Sequence, residues 1–358
     1  MSMDEKTLAR ELFKTTKTVD LFVDVALDLD REKAPSGFHY DRDLLKAAMA
    51  NTYVETVGDK ADSLHLAIKA VDVEDVYGSY LRSLKIVGSR INLNEREVVL
   101  AFDYTDEDFY CEIGGRWIHG WTGENAVTGK FKFLTCAMVG YENKEKIPLL
   151  TIPVEMGGFM ARDVLFCLSL LKPLVKSVKL LLFDRGFYSK ELRWALSSAN
   201  YPYLMFVPKK ENVKEELEKM EKDQKLKLRH AFEFTDSNGE KKEGETTLAL
   251  LKRIVDPSNG KKFDWCFATN VDDVDLENII QTYKQRWGIE TGFRVQDEAT
   301  IKSKSTEIKI RFFYFVYEQL LQTLWNVLYK RDMSFKSFVI ELYEASNAKV
   351  RKAEKKAG

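Results

Sequence analysis

Two rhythms of apolar and polar positions divide the chain. Up to about residue 85 large apolar residues recur at helical spacing, as in Leu21, Val25 and Leu29. Segments 4 to 33 and 41 to 85 are therefore predicted to be mostly helical, with a break at Ala34-Pro35-Ser36-Gly37. From Glu97 short, unbroken apolar runs take over. VVLAF (98 to 102) ends in Asp103, and VKLLLF (178 to 183) ends in Asp184. Such runs predict strands buried on both faces. Phe131 to Val139 and Ile147 to Val154, joined by the polar stretch Tyr141 to Lys146, complete an antiparallel meander with the first run. Helical period returns over Ala161 to Lys176, with Pro173 near its end. A crossover helix between parallel strands puts Asp103 and Asp184 at the ends of neighbouring strands, which lie about 4.8 Å apart.

Asp184 opens the sequence DRGFY, and a carboxylate at that point is either a cap or a ligand. The helix expected over 189 to 200 has its own cap in Ser189, which leaves the ligand reading open. Tyr201 to Val207 reads as the next strand. Residues 209 to 262 depart in composition: ENVKEELEKMEKDQKLK is a charged helix, and alternation around His230 to Thr235 and Thr246 to Val255 predicts small strands, with turns at Ser237-Asn238-Gly239 and Pro257-Ser258-Asn259-Gly260. We read this as an insertion before the strand FDWCFATN (263 to 270). The expected division is a helical N-terminal region (1–96), a catalytic core in two parts (97–208 and 263–330), an insertion subdomain (209–262) and a C-terminal tail (331–358), basic and disordered from Lys349.

After Asn270 the acidic residues Asp272 to Glu277 are expected to open a helix, as the macrodipole favours. It continues as NIIQTYKQRWGIETGFRVQDE, where Tyr283, Arg286, Glu290, Arg294 and Asp297 fall on one stripe. A stripe of polar-tipped residues is either solvated and internally paired or faces a site. RFFYFVYEQLLQTLWNVLY (311 to 329) is rich in aromatics, but its Arg, Glu, Gln and Asn residues make it a buried helix rather than a membrane span.

Composition changes this picture little. The 358-residue chain has hydrophobic content sufficient for a packed core. The sequence shows neither a signal peptide nor a membrane span, so a cytoplasmic, nucleoid-associated protein is expected. Cys111, Cys136, Cys167 and Cys266 are far apart without a CxxC pair, which excludes a zinc or disulfide signature. Charge is uneven. Residues 1 to 112 hold 14 Lys and Arg against 23 Asp and Glu, and the remainder 41 against 33, so the second part suits a polyanionic partner.

Two Asp after apolar strands, the second in DRGF, followed by a β-rich insertion and Tyr-x2-Arg-x3-Glu on a helix, resemble the DDE transposases of prokaryotic insertion sequences, over roughly residues 97 to 330. The DYT beginning at Asp103 is similar to the first-Asp motif of a group common in archaea. The resemblance implies an α/β fold with a ribonuclease H-like mixed sheet flanked by helices. It implies Asp103, Asp184 and Glu290 as catalytic and metal-binding residues, with Mg²⁺ or Mn²⁺, and Tyr283, Arg286 and Arg294 toward DNA. One position departs: the family has Lys seven residues after the Glu, and here Asp297 stands there. Arg294, Lys302 or Lys304 is the candidate replacement.

The residue types suit this chemistry. Two divalent ions roughly 3.5 to 4 Å apart activate the attacking oxygen and stabilise the leaving one, and hard cations take carboxylate oxygens. The implied partners are double-stranded DNA, at element ends and target, and a second copy of the chain in a synaptic complex. A nuclease or resolvase without strand transfer, and a transposase-derived DNA-binding protein that no longer cleaves, are the alternatives. Arg286 and Tyr283 read equally as support, Arg286 holding Glu290 and Tyr283 packing on the sheet.

Overall fold

The computed structural model describes residues 4–31, 36–112, 114–120, 126–141, 145–256 and 259–357. Parts of three expected breaks, at 34–35, 142–144 and 257–258, lie outside the described residues. Helices α1 (Glu5–Ala26), α2 (Ser36–Ala50), α3 (Val54–Val57), α4 (Ala61–Ala70) and α5 (Val73–Gly88) come first. Strands β1 (Glu97–Phe109), β2 (Ile118–Gly120), β3 (Gly129–Tyr141) and β4 (Glu145–Pro153) follow, then α6 (Met160–Leu171), β5 (Ser177–Phe183), α7 (Lys190–Ser198) and β6 (Tyr203–Phe206). The chain continues through α8 (Glu211–Lys219), β7 (Lys225–Thr235), β8 (Lys241–Val255) and β9 (Lys262–Thr269), and ends with α9 (Ile279–Lys284), α10 (Trp287–Gln296), α11 (Ile308–Leu328) and α12 (Phe335–Ala357).

The strands form one mixed sheet in the order β2-β3-β1-β5-β6-β9-β8-β7, with β4 also on β3. β1, β3 and β4 are the expected antiparallel meander. Helix α6 then crosses over, so that β5 pairs parallel to β1 with Phe102 opposite Phe183. The fold is α/β, a ribonuclease H-like sheet flanked by helices. Its centre is dry because the apolar runs leave no polar side: Leu100, Ala101, Phe102, Leu181, Leu182 and Phe183 are all fully buried.

Helix α11 sits between the sheet and the N-terminal helices. Its Phe312 and Phe315 meet Phe133 of β3 at 5.6 and 4.8 Å, and Phe313 meets Phe22 of α1 at 5.5 Å. The polar residues that argued against a membrane span are internal ties. Gln319 Oε1 accepts from Thr151 of β4 at 2.6 Å. Gln322 Nε2 donates to the Gly292 carbonyl of α10 at 2.7 Å, and Glu318 accepts from Gln296 of α10 at 3.0 Å. Among the described residues no helix is long and apolar enough to cross a membrane.

Three expectations differ from the structure. The C-terminal segment is no disordered tail, because α12 is helical to Ala357 and buries Phe335, Phe338, Val339, Leu342 and Val350. That apolar stripe runs under the charged residues which suggested a solvated tail. Lys349 donates to Asp20 of α1 at 2.5 Å, so the two ends of the chain share one helical layer. The segment 209–262 is inserted between β6 and β9, which pair directly, but its strands do not stand apart: β7 and β8 extend the central sheet beyond β9 at its edge, through long-range pairing that local composition does not encode. The helix expected from Asp272 begins at Ile279, after turns that contain the acidic residues.

The β7–β8 hairpin supplies a stability test. Gly244 faces Phe232 across the ladder, and a Cβ at 244 would lie 2.6 Å from the Phe232 ring. That ring in turn sits 4.1 Å from the Arg193 guanidinium, which limits its retreat. Gly244→Ala is expected to cost about 1 to 2 kcal/mol through overpacking. Chemical denaturation reads it, and an unchanged midpoint would show that the ring moves aside.

Candidate active site

Aromatic pairs bracket the two carboxylates Asp103 and Asp184. Phe102 stacks on Phe183 at 5.3 Å just before them, and Tyr104 stacks on Phe187 at 4.8 Å just after. Asp103 and Asp184 therefore stand side by side, each one residue beyond the last parallel pair of β1 and β5, as the crossover reading anticipated, but only Asp184 is at a strand end: β1 runs on to Phe109 along β3, with Asp103 opposite Thr135. Asp184 is a cap here, though not of α7. Its Oδ1 accepts from the Gly186 amide at 2.8 Å and caps the turn Arg185–Phe187, while Ser189 separately caps α7 through the Leu192 amide. Among the described residues the second Asp184 oxygen makes no hydrogen bond.

The third carboxylate arrives on α10, and a tight turn sets its position. Between α9 and α10 the chain stays in αR dihedrals, but Arg286 N bonds to Tyr283 O at 3.0 Å and Ile289 N to Arg286 O at 2.9 Å, a spacing of three. The expected continuous stripe is thus two helices with a tightened joint. Gly288 lets α10 approach the sheet, since a Cβ there would lie 2.9 Å from Val139 Cγ1 of β3. Arg286, 6% exposed, reaches Asp103 Oδ2 with Nη1 at 3.4 Å and Glu290 Oε1 with Nη2 at 2.5 Å. Of the two readings of Arg286, the structure displays the supporting one: a buried guanidinium between two carboxylates.

Tyr283 is likewise internal. It is 4% exposed and packs on the sheet with Phe267 at 5.0 Å and Phe206 at 5.7 Å, which favours the supporting reading of this residue over a direct DNA contact. Burial pushes its phenol up to about 12, which keeps it a neutral hydrogen-bonding group beside Arg286. Arg294 and Asp297 are exposed and diverge. Arg294 lies within electrostatic range of Lys146. Asp297 lines a cleft of about 820 Å³ between the outer half of β1 and residues 293–306, together with Lys302 and Lys304. Lys304 is further engaged over the Tyr53 ring at 5.1 Å. This cleft begins at Thr105, two residues along β1 from Asp103, and excludes the three carboxylates.

Electrostatics mark Asp103 as the strained member. Burial pushes its carboxyl up to about 6; Arg286 opposes this, and Asp184 and Glu290 add to it. A carboxylate that burial and two like charges disfavour, even with a guanidinium beside it, calls for more positive charge. Hard oxygen donors in such a field suit a divalent cation. Yet among the described residues no three His, Cys, Asp or Glu side chains stand close enough together to chelate one ion. The four histidines take no part in this cluster, and His119, for one, bonds to the Val154 carbonyl at 2.9 Å.

Sequence reasoning missed Lys146, which β4 brings against α10. Its Cγ lies 3.2 Å from where a Gly288 Cβ would stand. No local pattern marks this residue, because its neighbours come from α10 and from the end of α11.

Comparisons with known proteins bear on the same elements. Among curated proteins no sequence matches this chain. A solved structure, the cryo-EM synaptic complex of piggyBac transposase with hairpin DNA, is similar over 96% of this chain and 81% of that chain, with a TM-score of 0.58 and 14% identity, a likeness of fold. The family model described as transposase DDE domain matches residues 162–311, a span that includes Asp184, Arg286 and Glu290 and begins beyond Asp103.

Proposed function

We propose that this chain is a DNA transposase that binds the terminal inverted repeats of its element and carries out metal-dependent DNA cleavage and strand transfer. The observation that carries the reading is the placement of Asp103 and Asp184 side by side, just beyond the last parallel pair of β1 and β5, with Glu290 joined to Asp103 through Arg286. The match of residues 162–311 to a transposase DDE domain supports it. Asp103, Asp184 and Glu290, which do not stand close enough here for all three to chelate one ion, are the residues that would share Mg²⁺ or Mn²⁺, which would supply Lewis-acid activation of an attacking water or 3′-hydroxyl. Arg286 positions the acids. By pairing with Asp103 and Glu290 at once it sets the distance between β1 and α10, and it offsets their repulsion when no cation is bound. DNA bound as a synapsed pair of ends implies at least two copies of the chain.

The test is a plasmid carrying the DNA that flanks this gene on both sides, incubated with purified protein and Mg²⁺. Excision with joining of the freed 3′-hydroxyl ends to a second DNA is expected. Cleavage without joining would favour a nuclease or resolvase, and binding without cleavage a DNA-binding protein.

The stripe beyond Glu290 gives a further expectation. Arg294→Ala should weaken end binding and lower its salt dependence by a slope of about one, because one fewer phosphate contact releases fewer counterions. Asp297→Lys should be tolerated or tighten binding. An unchanged slope for Arg294→Ala with lost activity for Asp297→Lys would show that this face meets something other than DNA.

A further inference from the structure

The sheet has two unlike edges. At one, β4 carries Pro148 and Pro153, which have no N–H to offer a further strand, and the Pro148 carbonyl is taken by the Tyr80 hydroxyl at 2.5 Å. At the other, β7 is the last strand, eleven residues without a proline, paired with β8 in unbroken register. Among the described residues one hydrogen bond from outside that ladder reaches its backbone, from Lys190 Nζ to the Glu233 carbonyl at 2.8 Å, and its donor is a flexible side chain. An open edge of this length is a template for another strand. The sequence of β7 says which. Set antiparallel to itself about His230, KLKLRHAFEFT is complementary: Lys227 falls opposite Glu233, Leu226 opposite Phe234, Leu228 opposite Phe232 and Arg229 opposite Ala231. Inside one chain Glu233 has a poor neighbour. It stands across the ladder from Glu243, a pair of like charges, while the nearby Arg229 turns to Glu245 at 3.4 Å.

We propose that β7 is the surface through which two copies of this chain associate, edge to edge and antiparallel about a two-fold axis at His230, so that one sheet runs through both. Main-chain hydrogen bonds supply the attraction, and the order of charges fixes the register. By symmetry the Lys227–Glu233 contact forms twice, and each Glu233 gains the cation that its own chain does not set against it. The prolines of β4 close the opposite edge, so the addition stops at two copies rather than growing into a filament. This surface goes beyond the DNA reading, whose two copies it would join without any DNA bound.

Sedimentation of the full chain without DNA, from about 1 to 100 μM, tests this. The wild-type chain is expected to pass from monomer to dimer over that range. Lys227→Glu and Glu233→Lys each set like charges opposite one another, twice per dimer, and should each raise the dissociation constant at least about tenfold. An equimolar mixture of the two variants should recover the wild-type association, because every contact between positions 227 and 233 is then of opposite sign. Both side chains are exposed, so neither change touches the core, and mixing could not rescue a misfolded chain. Wild-type association in either variant alone, a mixture that stays monomeric, or a wild-type chain monomeric throughout would each overturn the β7 interface. Each would leave the DNA reading standing, since that reading fails only in the excision assay.

Discussion

Asp184→Asn is expected to lower Mg²⁺-dependent DNA cleavage by at least about a thousandfold, equivalent to about 4 kcal/mol of transition-state stabilisation, while DNA binding stays within a few fold. The substitution keeps the shape and the Gly186 contact that caps the turn Arg185–Phe187, since an amide oxygen accepts that hydrogen bond as well. What it removes is the charge that a divalent ion would need. Glu290→Gln should do the same, and Arg286 would still hold Asp103. The paired measurement is cleavage against binding on one DNA. Retained cleavage in either variant would show that the acids are a structural cluster around Arg286, and that the chemistry lies elsewhere, with the cleft beside Thr105 as the next place to look.

The parts of the fold legible in the sequence are those whose signal is local. An apolar run that stops at a carboxylate gave the buried halves of β1 and β5, with Asp184 at the end of β5, although β1 itself runs past Asp103 to Phe109; the helical period between gave α6, which closes before Pro173. Long-range pairing was not legible. Nothing in the alternation of β7 and β8 says whether the hairpin closes on itself or adds to β9, and the register that adds it depends on Leu248 and Leu250 meeting Ala268 and Cys266. The site divides along the same line. The spacing of Tyr283, Arg286 and Glu290 is local and put all three on one side, but whether a side chain on that side meets DNA or the sheet depends on what packs above it. Phe206 and Phe267 cover Tyr283, and Asp103 engages Arg286. Lys146 was illegible for the same reason.

Asp103→Asn is expected to make the protein more stable near pH 7, in chelator, and this is the second large effect. Folding raises the Asp103 carboxyl from its ordinary 3.8 to about 6, chiefly by burial. Between those values the folded chain holds a proton that the unfolded chain has released, so stability falls as pH rises through that window and stays low above it. A tenfold change in proton affinity corresponds to about 1.4 kcal/mol; with a side chain 18% exposed, we take about 2 kcal/mol as the cost of the ionised form at neutral pH. An amide removes that cost, and for a chain of this size the gain is about 3 °C in melting temperature. At pH 4 the folded carboxyl is protonated and the unfolded one is about half so, and the difference should shrink to a small part of its value at pH 7. Mg²⁺ acts in the opposite sense. If Asp103 is a ligand, millimolar Mg²⁺ stabilises the wild-type chain more than the variant, because only the wild type keeps all three acids. Melting curves at pH 4 and 7, with chelator and with Mg²⁺, decide the matter. A variant less stable than the wild type at pH 7 would mean that the Arg286 pairing outweighs burial, and an equal response to Mg²⁺ would remove Asp103 from the metal site.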